Sequence, residues 1–128
     1  MAFLLDTNVA IHLRDGDATV AEKVASLQGA VLISIITRVE LQGGVHREPA
    51  QARVRRARLD VLLSAIPALA FDDLAAATYG SIVAAAGYSR RKLLDRMIAA
   101  QALVHRAELI TFNPDDFSDV PGLIVRAW

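Results

Sequence analysis

Met1-Ala2-Phe3-Leu4-Leu5-Asp6-Thr7-Asn8 is the stretch on which the reading of the whole chain turns. Ala2 to Leu5 form an apolar run too short for a helix, and a carboxylate followed by two turn-forming polar residues stops it. That is the pattern of a short buried strand with Asp6 at its carboxyl end. In an open α/β sheet the crevice beyond the strand ends is where ligands bind, so Asp6 is a candidate site residue. The simpler role for it is to cap the helix that follows, since Asp, Thr and Asn are all good caps.

Outward from this strand, Val9, Ala10, Ile11 and Leu13 predict a short helix that stops near Asp15-Gly16-Asp17. A second helix runs from about Ala18 to Gln28, with Val20, Val24 and Leu27 on one stripe and Gly29 at its end. Val31 to Ile36 is a continuous run rich in β-branched residues, as expected of an inner parallel strand covered on both faces. Thr37 has the position of a helix cap, and Glu40 three residues on completes the spacing of a capping box. Gly43-Gly44 weakens that helix, and Glu48-Pro49 opens a long one reaching about Ile66. In that long helix Val54, Ala57, Val61 and Ala65 keep helical spacing while Arg53, Arg55, Arg56 and Arg58 crowd its first half. Pro67 forces a break before a strand from Ala68 to Phe71, and Asp72-Asp73 begins a helix that Gly87 closes. Leu93 to Arg106 reads as a helix apolar almost all round and so sandwiched, and Leu109 to Thr111 and Leu123 to Val125 are the last strands. The alternation predicts an α/β fold with a mainly parallel sheet of about five strands.

At 128 residues the chain is one domain, 1–128, with no repeat or linker. Its 54% hydrophobic content with few aromatics implies a core of Ala, Val, Leu and Ile, which suits helices packed on a buried sheet. Fourteen basic and fourteen acidic residues cancel, so any nucleic-acid binding must rest on a local patch. The absence of cysteine excludes disulfides and thiolate metal sites and fits a reducing compartment. The longest uncharged run, Leu74 to Ser89, is short of a membrane span, and no basic segment followed by an apolar core opens the chain. A soluble cytoplasmic protein without membrane contact is expected.

Asp95 is the least probable residue in the sequence, a carboxylate in the first turn of a helix that otherwise reads as core. Such a group needs a partner, a cation or a cleft, beyond the favourable charge it brings to a helix N-terminus. Asp6 ends one strand, Glu40 lies just past the next, and Asp95 starts a helix that can approach the same edge. Three carboxylates gathered without enough cations repel one another, and a hard divalent ion relieves that repulsion. Oxygen-only ligands favour Mg²⁺ or Mn²⁺ over zinc. A water activated by such an ion beside a phosphodiester is hydrolytic chemistry, which points to nucleic-acid cleavage.

The chain resembles PIN-domain ribonucleases, and in particular the VapC toxins of bacterial toxin-antitoxin pairs. The resemblance covers nearly the whole chain and rests on Leu4-Leu5-Asp6-Thr7-Asn8, Ser34 through Glu40-Leu41, Asp95-Arg96-Met97-Ile98-Ala99-Ala100, and Thr111-Phe112-Asn113-Pro114-Asp115-Asp116-Phe117. Each block alone is weakly specific; their order and the chain length make them specific together. The resemblance implies a three-layer sandwich with helices on both faces of a parallel sheet and an acidic pocket for Mg²⁺ or Mn²⁺. It also implies cleavage of single-stranded RNA, inhibition by a VapB-type antitoxin, and a homodimer. Asp6, Glu40 and Asp95 match the family's three acids, with Thr7, Asn8 and Thr111 as supporting polar groups. Many relatives carry Asp two residues after the threonine, where this chain has Asn113. Asn113 offers a carbonyl oxygen but no charge, which leaves Asp115 or Asp116 to compensate and the number of metal ions open.

Rival readings remain. A haloacid-dehalogenase-like phosphatase also begins with a strand ending in Asp, but it wants a second Asp two residues later, where Asn8 stands. A non-toxin or catalytically degenerate PIN domain that binds RNA or a protein partner is the other alternative, and the three intact acids argue against it. Arg53 to Arg58 is either a solvated helix face or a surface for RNA phosphates or an acidic antitoxin segment. Arg90-Arg91-Lys92, just before Asp95, is placed to guide a phosphate backbone into the pocket. No role is assigned to His12, His46 or His105.

Overall fold

The computed structural model describes residues 1–128. Its strands are β1 (Ala2–Leu5), β2 (Ala30–Ser34), β3 (Ala68–Leu69), β4 (Ala107–Thr111) and β5 (Val125–Ala127). Its helices are α1 (Thr7–Arg14), α2 (Ala18–Ala25), α3 (Ile35–Arg47), α4 (Ala52–Ala65), α5 (Asp73–Ala86) and α6 (Leu93–Val104). The five strands form one sheet in the order β3-β2-β1-β4-β5, every pair parallel. β1 is its centre, with Leu5 opposite Ile33 on one side and Ile110 on the other.

That central place follows from four apolar residues in a row. Successive side chains of a strand point to opposite faces, so a run without polar alternation must be covered twice. Phe3 and Leu5 enter a core shared with Val9 and Ala10 of α1, Val20 of α2, Leu41 and Val45 of α3, and Leu59 and Leu62 of α4. Leu4 faces the other way, into a core with Ile82 of α5 and Ile98, Ala99 and Ala102 of α6. The layers are helices, sheet, helices, as expected. Buried Gln101 ties α6 to the sheet: its Nε2 donates to the carbonyls of Leu69 (2.9 Å) and Ala70 (3.1 Å), and its Oε1 accepts from Ser34 Oγ. No helix is long and apolar enough to cross a membrane.

Several boundaries differ from the sequence-based ones. β2 stops at Ser34 because the Ser34 hydroxyl accepts from the N–H of Ile36 (2.9 Å) and caps α3, so Ile35 and Ile36 turn into the helix. Thr37 is therefore inside the first turn, and there is no capping box at Glu40. The weakening Gly43-Gly44 pair lies inside α3, which runs on to Arg47; buried Leu41 and Val45 outweigh the roughly 1 kcal/mol that each helical glycine costs. α2 stops at Ala25, and α4 is preceded by a short 3₁₀ turn, Pro49–Gln51. β3 spans two residues only. α6 ends at Val104, with Arg106 at φ 51° making the turn into a longer β4. β5 begins at Val125, two residues late, because Leu123 packs onto the second core from the preceding loop.

Gly29 lets β2 approach β1. A Cβ there would stand 2.2 Å from the backbone oxygen of Met1, which accepts from the N–H of Ala30 at 3.0 Å. Neither strand can yield without breaking the ladder. Gly29→Ala is expected to destabilise the fold by roughly 1–3 kcal/mol, the usual cost of overpacking, and urea denaturation measures it. A variant as stable as the parent would show that the β1–β2 register tolerates displacement at this end.

Candidate active site

From β1 the chain builds outward to β2 and β3, then returns to add β4 and β5 on the other side. The crevice beyond the carboxyl ends of β1 and β4 is thus the topological switch point, and Asp6 sits in it. The Asp6 N–H donates to the carbonyl of Ile110 (2.9 Å), extending the ladder past the strand. Its Oδ1 accepts from the N–H of Thr7 (2.9 Å) and its Oδ2 from Thr111 Oγ1 (2.8 Å). Thr111 Oγ1 in turn accepts from the N–H of Asn113 (3.0 Å). Asp6 is the N-cap of α1 and a wall of the cleft at once, so the two roles weighed from the sequence coexist.

Glu40 is held by an analogous chain. Thr7 Oγ1 donates to Glu40 Oε1 (2.8 Å), and a hydroxyl has one proton, so the 2.9 Å contact between Thr7 Oγ1 and Thr37 Oγ1 is a bond donated by Thr37. Thr37, fully buried, thus serves the site rather than the end of its helix. Asp95 enters from the first turn of α6. That end of α6 is anchored by buried Arg96, whose Nη2 donates to Asp119 Oδ2 (3.0 Å) and whose Nη1 donates to the carbonyl of Gly87.

The three acids meet in a cleft of about 850 Å³, together with Thr7, Asn8, Asn113 and Asp116. Asp115 does not line it, and Thr111 lies beneath, bonded to Asp6. Burial, then the charges of Asp6, Asp116 and Glu40, push the Asp95 carboxyl up to about 6, with Lys92 pulling the other way. Burial also raises Asp6, against the hydrogen bonds from Thr111 and Thr7. Arg90 and Arg91 line the cleft, whereas Lys92 is turned aside into an ion pair with Asp119 (2.9 Å). Much of the arginine run is engaged within the chain. Arg55 donates to Gly44 O and Glu48 Oε1 (both 3.0 Å), Arg56 to Gln42 Oε1 (2.8 Å) and Arg58 to Asp15 O (3.0 Å).

Arg14 and Arg47 also line the cleft, and neither stands out in the sequence. A signal for Arg47 is present, since Glu40, Gly44 and Arg47 stand at i, i+4 and i+7, but the glycine pair between them, which weakens the helix, obscures it.

No three acidic or histidine side chains close into a cage for an ion. The donor set is all oxygen, open to the cleft, and short of cations at its acidic floor. That fits a Mg²⁺-like ion, which takes one or two carboxylates and keeps several waters, better than an ion that needs a complete protein cage. Asp6 and Asp95 would hold it, with Asp116 in reach of the same cleft.

A carboxyl raised in the fold contributes stability that is intact below its ordinary value of 3.8 and lost as pH rises through about 6. Asp95→Asn imitates the protonated form. In EDTA at pH 7.5 it is expected to be more stable than the parent by roughly 1 kcal/mol after allowing for solvent screening, with the difference closing by pH 4. Thermal melts at the two pH values test this; a variant that melts lower at pH 7.5 would make Asp95 a structural cap.

The comparisons with known proteins agree with this geometry. The PIN domain family model matches residues 3–123. The chain is 31% identical over 131 residues to the tRNA(fMet)-specific endonuclease VapC of Shigella flexneri, covering all of this chain and 98% of that protein. It is 27% identical to ribonuclease VapC2 of Rickettsia felis, again covering all of this chain and 98% of the relative. Among solved structures, VapBC2 from Rickettsia felis bound to a DNA fragment of its promoter aligns with a TM-score of 0.86 at 25% identity, covering 100% of this chain and 99% of that one. DNA-bound VapBC from Salmonella typhimurium aligns with a TM-score of 0.85 at 26% identity, covering 100% and 98%. With a family model spanning nearly every residue, and with the acids gathered at the switch point of a five-stranded parallel sheet, the chain belongs to the PIN domain family.

Proposed function

We propose that the protein is a metal-dependent endoribonuclease that cuts single-stranded RNA and serves as the toxin of a VapBC-type pair. The carrying observation is the hydrogen-bonded pair of carboxylates at the switch point, Asp6 fixed by Thr111 and Glu40 fixed by Thr7, with Asp95 facing them across one cleft. Asp6 and Asp95 would hold the Mg²⁺ or Mn²⁺ ion. Such an ion supplies Lewis-acid polarisation of a phosphoryl oxygen and an acidified water. Glu40, its Oε1 occupied by Thr7, keeps its second oxygen free to accept a proton from an attacking water and to aim it. Asn113 presents a neutral carbonyl where charge is already crowded, and Asp116 supplies the nearby negative charge instead. Arg90 and Arg91 meet the phosphate backbone beside this floor.

The partners in this reading are RNA, a VapB-type antitoxin and a second copy of the chain as a homodimer. The antitoxin's seat is an apolar groove of about 550 Å³ between α1, α2 and α4, lined by Leu13, Val24, Ala57, Val61, Leu62 and Ile66. Val61 is 69% exposed there, and a contiguous apolar groove between helices suits an amphipathic partner helix. The internal bonds of Arg55, Arg56 and Arg58 strap α4 to its neighbours, which gives the groove a rigid wall.

Purified protein is expected to cut single-stranded RNA with Mg²⁺ or Mn²⁺ and to stop in excess EDTA, while Glu40→Gln loses at least 100-fold in rate, the scale of a lost general base. Cleavage that persists in EDTA would sink the metal mechanism. Val61→Asp is expected to cut RNA normally yet escape neutralisation when a cognate VapB-type antitoxin is co-expressed. If the variant is neutralised as well as the parent, the groove is not the antitoxin's seat.

A further inference from the structure

α3 forms one wall of the cleft through Glu40, Gly44 and Arg47, a single helical stripe about 10 Å long. The missing side chain at Gly44 makes room for Arg14, since a Cβ there would lie 3.3 Å from Arg14 Nη1. The Arg14 side chain is only 4% exposed, and its Nε and Nη2 both lie 3.0 Å from Asp15 Oδ1. Two of its nitrogens are thus tethered by the neighbouring carboxylate. The third, Nη1, has no protein partner and sits at the gap in the wall. Arg55 braces the other side of Gly44 by donating to its carbonyl (3.0 Å). Arg47, at the end of the stripe, is exposed and unpaired.

A buried guanidinium held by one carboxylate costs more in desolvation than it returns as stability, so its placement beside an open cleft calls for a ligand. The acidic floor repels a polyanion. A strand can lie across it only where cations meet the phosphates on either side of the reacting one. Arg90 and Arg91 stand on the α6 side, and the α3 side needs cations of its own.

We propose that Arg14 and Arg47 form a second phosphate-binding bank on the α3 side of the acidic floor, and that Gly44 is the opening through which Arg14 reaches the RNA. This rests on the ribonuclease reading. Planar guanidinium nitrogens match phosphate oxygens, and Arg14 is pre-ordered by Asp15. The bank binds backbone without reading bases, so it acts alike on all single-stranded sequences.

Two glycine variants and one arginine variant test the bank. Both Gly43→Ala and Gly44→Ala remove a helical glycine, and Gly43→Ala is expected to raise the melting temperature by about 2–5 °C. A Cβ at residue 43 meets nothing within 4 Å, whereas one at residue 44 pushes on Arg14. Cleavage of a fluorescein-labelled mixed-sequence single-stranded RNA in Mg²⁺ should be unchanged in Gly43→Ala. In Gly44→Ala and Arg47→Gln it should lose about tenfold in kcat/KM, mainly through KM, as for one charge-assisted hydrogen bond. The log–log salt dependence of kcat/KM should flatten by about 0.7 for each phosphate left without its arginine. Parental kinetics and salt slope in Arg47→Gln overturn the proposal whatever Gly44→Ala does to stability. So does an Arg47→Gln protein that cuts normally but escapes the antitoxin, which would make the bank a protein-binding surface. A wild-type chain that neither retards the RNA in a gel nor cuts it overturns the ribonuclease reading, and this one with it.

Discussion

Like charge confined at one edge of a sheet is the constraint to which the rest of this molecule answers. Asp6, Glu40, Asp95 and Asp116 arrive from four different segments and share one cleft, and burial together with neighbouring carboxylates makes Asp6 and Asp95 weaker acids than usual. Left alone, such a group of side chains would rotate apart into water. Two threonines prevent it in the same way. Thr111 and Thr7 each donate their single proton to a carboxylate and are aimed from behind by another donor, the Asn113 N–H or the Thr37 hydroxyl. The repulsion is thereby stored as a preference for a cation instead of being released as disorder.

The scaffold supplies what hydroxyls cannot. The all-parallel sheet places the ends of β1 and β4 side by side, and buried Gln101 joins α6 to the ends of β2 and β3. The helix that carries Asp95 and the strand that leads to Glu40 are therefore referenced to the same backbone. Arg96 and Lys92, both on Asp119, fix the start of α6 from outside the cleft. Cations are divided between two duties: Arg55, Arg56 and Arg58 of α4 and Lys92 hold the fold together, while Arg90, Arg91 and Arg47 stay unpaired at the cleft. A net charge of zero conceals this separation.

How much of this was legible in the sequence depended on whether a residue's local setting was improbable. Asp6 after an apolar run and Asp95 in a core-like helix stand out because burial of a carboxylate has few explanations. The central strand and the layer arrangement were legible because an unbroken apolar run demands cover on both faces. Thr37 and Glu40 looked like a capping box because the spacing is identical, yet Ser34 took the cap and left Thr37 to the site; nothing within three residues distinguishes these outcomes. The glycine pair reads as a weak point in its helix because propensity is local, while the burial of Leu41 and Val45 that offsets it is tertiary. Lys92 and the arginines of α4 looked alike as free cations, and their partners Asp119, Gly44, Gln42 and Asp15 lie far away in the chain.

The position of β1 has a consequence for biosynthesis. It precedes the other four strands in the chain and sits in the middle, so one of its edges pairs with β2 early and the other waits for β4, about a hundred residues later. Thr111, which orients Asp6, belongs to that same late strand. A nascent chain, or one cut short before β4, holds Asp6 beside an unpaired strand edge with neither its hydroxyl partner nor the crevice that β4 completes. Such a fragment is prone to stick through that edge. The topology thus makes completion of the cleft a late event: the Asp6–Thr111 bond cannot form until the fourth strand docks beside the first.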